Sequence, residues 1–139
     1  MQAIHPRDFV ESPRHLSRWR AVVVSANESD AGLGALGLQV EPYAEVFTAF
    51  SDMLDDPSGL ALFVLDCDCA GGFVAAQRLV RRLKGYLPRV AVVLLTKSCP
   101  TTLADQRDGP VVVNPTQGWS TVHSAVRHAL RDRYRWQEA

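Results

Sequence analysis

Four stretches of this sequence are apolar without interruption: Ala21-Val22-Val23-Val24, Leu60-Ala61-Leu62-Phe63-Val64-Leu65, Val90-Ala91-Val92-Val93-Leu94-Leu95 and Val111-Val112-Val113. A strand with one face in water alternates apolar and polar side chains, whereas an unbroken Val/Leu run suits a strand covered on both faces, as in a parallel sheet. Residues 38–43 fit a weaker strand. Helical patterns lie between the runs. Phe73, Ala76, Val80, Leu83 and Leu87 recur at three and four residues while Arg78, Arg81, Arg82 and Lys84 fall elsewhere, which predicts an amphipathic helix with a basic outer side. Val122, Ala125, Val126, Ala129 and Leu130 repeat that spacing, with Arg127, Arg131, Arg133 and Arg135 late in the helix, where cations suit its dipole. Residues 46–54 form a third pattern, stopped near Asp56-Pro57-Ser58-Gly59; residues 30–36 and 101–106 have room for a turn or two each. Five strands alternating with helices predict a doubly wound five-stranded parallel sheet with helices on both faces.

The length agrees with a single domain that buries roughly two-thirds of its unfolded-chain surface. Residues 1–19, with Pro6, Pro13 and no periodicity, read as an N-terminal arm whose Trp19 packs where it joins the domain, and 20–139 as the domain. Formal net charge is zero, 15 Lys and Arg against 15 Asp and Glu. The sum hides a division: from Arg20 to Arg78 no basic residue intervenes, while Glu28, Asp30, Glu41, Glu45, Asp52, Asp55, Asp56, Asp66 and Asp68 all fall there. Eleven basic residues against Asp105, Asp108 and Asp132 follow, from Arg78 to Arg135. Such a chain is expected to be dipolar and to associate in a salt-sensitive way. No apolar run approaches the roughly 20 residues of a membrane helix, and the start lacks the apolar stretch of a signal peptide, so the expected location is the cytoplasm, with no membrane partner. Three cysteines, two of them at Cys67 and Cys69, do not make a secreted disulfide framework.

Ligands of doubly wound sheets bind beyond the carboxyl ends of the strands, near the switch in strand order. The residues there are Ser25 to Glu28, Asp66 to Gly72, Thr96 to Pro100, and Asn114-Pro115. Taken in this order, they resemble the receiver domain of bacterial two-component response regulators over residues 20–134. Leu62-Phe63-Val64-Leu65-Asp66 looks like the phosphoacceptor strand, Leu94-Leu95-Thr96 like the strand that ends in a hydroxyl, and Asn114-Pro115 stands where the family has Lys-Pro. The resemblance implies a flavodoxin-like, receiver-like fold and puts Asp66 in the phosphoacceptor position.

Phosphoryl transfer to an aspartate needs a divalent cation held by further carboxylates and a fixed ammonium, because charge on the transferring oxygens must be neutralised. The positions of the family's acidic pair fall at Ser25 and Ala26, followed by Asn27 and Glu28. The ammonium position is Asn114, whose amide donates a hydrogen bond but carries no charge. Val111 stands at the aromatic switch position. Asp66, Thr96 and Pro115 match. The missing charges are worth several kcal/mol in the transition state, each 1.4 kcal/mol or so being about tenfold in rate. The resemblance therefore implies a pseudo-receiver: a non-catalytic module that works in signalling or assembly through protein contacts, without a cofactor and with a homodimer among its possible partners. An alternative is a phosphoaccepting response regulator in which Glu28, Asp66 and Asp68 rebuild a Mg²⁺ site. For Asp66 the plain structural role is to accept backbone N–H bonds at the start of the basic helix.

A second resemblance rests on Asp66-Cys67-Asp68, Leu94-Leu95-Thr96-Lys97, Thr101-Thr102-Leu103 and Arg133-Tyr134. These are similar to the receiver-like N-terminal wing domain of pyridoxal-phosphate-dependent ornithine/lysine/arginine decarboxylases, which serves assembly. That reading implies a freestanding wing or a fragment, since the Schiff-base lysine belongs to a separate large domain. Other features have blander readings. Cys67, Cys69 and Cys99 with Asp68 lack the Cys-x-x-Cys spacing of zinc sites; Gly71-Gly72 lacks the spaced glycines of a nucleotide loop; His123 and His128 default to solvated or capping roles. The arginines are not interleaved with aromatics, apart from Tyr86 and Tyr134, and no recognition helix follows a tight turn, which argues against nucleic acid.

Overall fold

A computed structural model describes residues 19–29, 31–97 and 110–138. Five strands, β1 Arg20–Val24, β2 Gln39–Tyr43, β3 Leu60–Asp66, β4 Ala91–Leu95 and β5 Val111–Val113, form one sheet in the order β2-β1-β3-β4-β5, every neighbouring pair parallel. This is the flavodoxin-like order of a doubly wound α/β domain, with the switch between β1 and β3. Its helices are α1 Val46–Asp55, α2 Phe73–Tyr86 and α3 Trp119–Glu138, joined by 3₁₀ turns at Leu33–Leu36, Cys67–Ala70 and Pro115–Gln117. No described helix is long and apolar enough to cross a membrane.

The apolar runs are buried on both sides as their composition demands. Ala21, Val23, Val64, Val93 and Val113 join Val122, Ala125, Val126 and Leu130 of α3 in one core, which also takes in Trp19 and Leu33. Val22, Val24, Phe63, Leu65, Val92 and Leu94 face α1 and α2 through Val46, Ala49, Met53, Ala76, Val80 and Leu83 in the other. Each Val, Leu, Met or Phe side chain taken from water in this way stabilises the fold by about 1.5–3 kcal/mol before entropy is subtracted. A register shift in the β1–β3 ladder between Arg20 and Ala21 puts both Ala61 and Leu62 on the α3 side. Phe63 is fully buried and meets Phe50 of α1 edge to face, centroids 5.8 Å apart.

The weak strand at 38–43 is a full edge strand. Gln39 and Pro42 are exposed, and Pro42, which cannot donate to a ladder, is tolerated at the sheet's edge. Over the described residues 31–36 of the expected 30–36 turn, the structure forms the 3₁₀ turn Leu33–Leu36, because Gly32 and Gly37 on either side adopt left-handed conformations that end helix. The arm at 1–18, and the turn expected over 101–106, lie outside the described residues; Trp19 is buried as expected. Two expectations are corrected. Lys84 does not belong to the solvated basic side of α2: it is half-buried, and its Nζ donates to the carbonyls of Pro88 (2.9 Å) and Val90 (2.8 Å), closing the helix's carboxyl end. Burial lowers its pKa. His123 is half-buried rather than fully solvated: its Nε2 is buried, with no hydrogen-bond partner among the described residues.

Candidate functional site

Strand register sets the candidate site. Val24 pairs with Leu65, Asp66 with Leu95, and Leu95 with Val113. Ser25 and Asp66 are thus level on adjacent strands, as are Thr96 and Asn114, and the row from β1 to β5 spans three strand spacings, about 15 Å. The backbone continues the ladder at both sides: Ser25 N donates to Tyr43 O and Thr96 N to Val113 O, each at 3.0 Å. The four positions singled out from the sequence stand together at the carboxyl edge, where doubly wound domains bind ligands.

Each polar side chain with a described partner bonds to its own loop. The Ser25 hydroxyl, almost buried, accepts from Ser29 N (2.9 Å) and donates to Asn27 Oδ1 (3.1 Å), folding the loop back after β1. Ala26, Asn27 and Glu28 are exposed, and Glu28 takes a left-handed φ of 52°. Asp66 is half-buried; its Oδ1 accepts from Asp68 N at 3.1 Å and caps the turn Cys67–Ala70. The capping role is therefore real, but it serves this 3₁₀ turn: α2 starts two glycines later at Phe73, with Gly72 as its N-cap and no side-chain cap. Asn114 Oδ1 accepts from Thr116 N (2.9 Å) and from the Thr116 hydroxyl (2.6 Å), with Pro115 at the first position of the turn that it caps. Thr96 is buried. Val111, at the switch position of the resemblance, is a core residue.

These bonds share one logic. Ser, Asp and Asn are the residues whose short acceptors reach a backbone N–H two to four positions on, and a strand that ends in a tight turn leaves such N–H groups in need of partners. Asp68 is exposed and Cys67 buried beside it; burial first, then the charges of Asp66 and Asp68, push the Cys67 thiol up to about 12, and the same causes raise that of Cys69. Both are protonated at neutral pH, a state that neither attacks nor binds a metal well. Among the described residues no group of three or more His, Cys, Asp or Glu converges as a metal site; Cys99 lies outside them.

Two features away from the strand ends had no signal at the level of motifs. Arg20 gathers four bonds: Nε and Nη2 to the Glu41 carboxylate (2.8 and 2.9 Å), and Nη1 to the carbonyls of Asp56 and Ser58 (2.7 Å each). Between α1 and α2 runs a shallow apolar groove of about 210 Å³ lined by Phe47, Phe50, Leu54, Leu79, Arg82, Leu83 and Tyr86. Its sequence signal was the surplus of apolar residues in the two helices: Phe47, Leu54, Val74 and Tyr86 fall outside the core spacing and are exposed.

No protein-family model, no curated protein and no solved structure matches the chain.

Proposed function

We propose that this chain is a non-catalytic receiver-like module that acts in bacterial signalling or assembly through contacts with other proteins. The reading is supported chiefly by Asp66, the residue in the phosphoacceptor position, whose Oδ1 accepts the Asp68 N–H and caps the turn beside it. The surrounding row agrees with it. Ser25 brings a hydroxyl, bonded within its loop, to a place where cation binding wants a carboxylate, and Asn114 brings an amide where phosphoryl charge wants an ammonium. A flavodoxin-like sheet carrying a row of polar caps keeps the scaffold of a receiver and spends its strand-end groups on folding the loops.

Incubation with acetyl phosphate and Mg²⁺ followed by intact-mass measurement tests this reading. The expected result is an unchanged mass. In the opposite result the Asp66 carboxylate attacks phosphorus, acetate leaves with the electrons of the broken P–O bond, and the chain gains one phosphoryl group, an adduct lost in Asp66→Ala; the phosphoaccepting alternative would then stand.

A further inference from the structure

Four of the five large apolar side chains exposed among the described residues lie on α1 and α2: Phe47 (64%), Leu54 (43%), Val74 (60%) and Tyr86 (71%). Phe47, Leu54 and Tyr86 border the groove between the helices, and apolar surface gathered in this way is characteristic of a contact face. The charges beside it are sorted. On α1 the charges are acidic: Asp52, which accepts the Tyr43 hydroxyl from the edge strand β2 and so lies on the flank away from α2, and Asp55 three residues on, both exposed and outside the groove lining. On α2 the outer side is basic: Arg78 and Arg81 are exposed, and Arg82 stands at the groove itself. Across the face the order is thus acid, apolar groove, arginine.

We infer that the α1–α2 face pairs with the same face of a second copy of this chain, through a two-fold axis running along the groove. The charge order selects this partner. A two-fold axis along the groove exchanges the two flanks, so the Asp52/Asp55 side of one copy lies over the Arg78/Arg82 side of the other, twice, while Phe47, Leu54 and Tyr86 of both copies meet at the centre. A contact formed in this way closes on itself and stops at the dimer. Both signs of charge belong to a single face, which suits such a closed contact rather than an open, head-to-tail one.

The inference rests on the reading of the chain as a binding module, and its test is independent of phosphorylation. Sedimentation velocity of the full chain, from low to several hundred micromolar, should show a monomer–dimer equilibrium that weakens as salt rises. Tyr86→Ser removes an exposed aromatic and should weaken the dimer roughly tenfold or more with the fold intact by circular dichroism. Charge reversal gives the sharper test. Asp55→Arg alone and Arg78→Glu/Arg82→Glu alone should each be monomeric where the wild type dimerises, and their equimolar mixture should recover a dimer containing one of each. A wild type that stays monomeric throughout, a dimer that ignores Tyr86→Ser, or a mixture that stays monomeric would each overturn the inference. A monomer whose mass is still unchanged by acetyl phosphate would leave the proposed function standing.

Discussion

Arg20 illustrates at the residue scale how an acidic half-chain is made to fold. It is the last basic residue before a run of nine acids, and its guanidinium ties β1 to Glu41 on β2 and to two carbonyls, of Asp56 and Ser58, in the α1–β3 connection. With the side chain only 16% exposed, Arg20→Met should cost about 2 kcal/mol in urea unfolding, since it leaves a partly covered carboxylate and two carbonyls without their donor. The same change at exposed Arg81 should stay within about 0.5 kcal/mol. Tyr43 offers a pH readout: its hydroxyl donates to Asp52 at 2.7 Å, and that bond first, then burial, raises its pKa from 10.0 to about 12. The folded state holds the phenolic proton more tightly than the unfolded chain. The contribution is therefore full below pH 10 and lost as pH rises through about 12. Ultraviolet titration should show one tyrosine ionising late, and Asp52→Asn should bring it back toward 10.

Elements were legible in the sequence where burial is two-sided. The four unbroken runs all contain strands, and α2 and α3 follow their three-and-four spacing, because in each the core dictates the residue type at every inward position. Legibility fades where one side is wet, as in β2 with exposed Gln39 and Pro42, or where a long side chain turns back on its own element, as Lys84 does. The strand-end row was legible as a set of positions, since register follows from the runs. Its use was not: that Asn114 bonds Thr116, or Ser25 accepts from Ser29, depends on turn geometry that short polar residues share with ligand sites. The Arg20 bonds were invisible because their partners lie 21 to 38 residues away. The loop after β1 carries its own prediction. Gly32 holds φ at 71°, and a Cβ there would come within 3.1 Å of His123 Nε2 and 3.5 Å of Trp119. Gly32→Ala should destabilise the fold by about 1–2 kcal/mol in thermal or urea unfolding, from the left-handed backbone alone, and more if His123 cannot give way.

For the whole molecule, zero net charge has resolved into a local arrangement. Acids of the first half and arginines of the second meet on one side of the sheet, at the α1–α2 face, where nothing in the described structure covers Phe47, Leu54 or Tyr86. At the carboxyl edge of the same sheet, Ser25, Asp66 Oδ1 and Asn114 bond their own loops, while Glu28 and Asp68 are exposed. On the proposed reading, a domain whose Ser25, Asp66 and Asn114 serve as local caps works through its surfaces. On the proposed reading Asp66 caps its turn and does not accept a phosphoryl group, which fixes how the melting temperature responds to a phosphoryl mimic. Thermal unfolding of the wild type should be unmoved by Mg²⁺ with beryllofluoride, which mimics a phosphoryl group on aspartate, while Asp66→Ala should unfold more easily by about 1 kcal/mol through loss of the Asp68 N–H bond. A melting temperature raised by Mg²⁺ and beryllofluoride in the wild type but not in Asp66→Ala would contradict it.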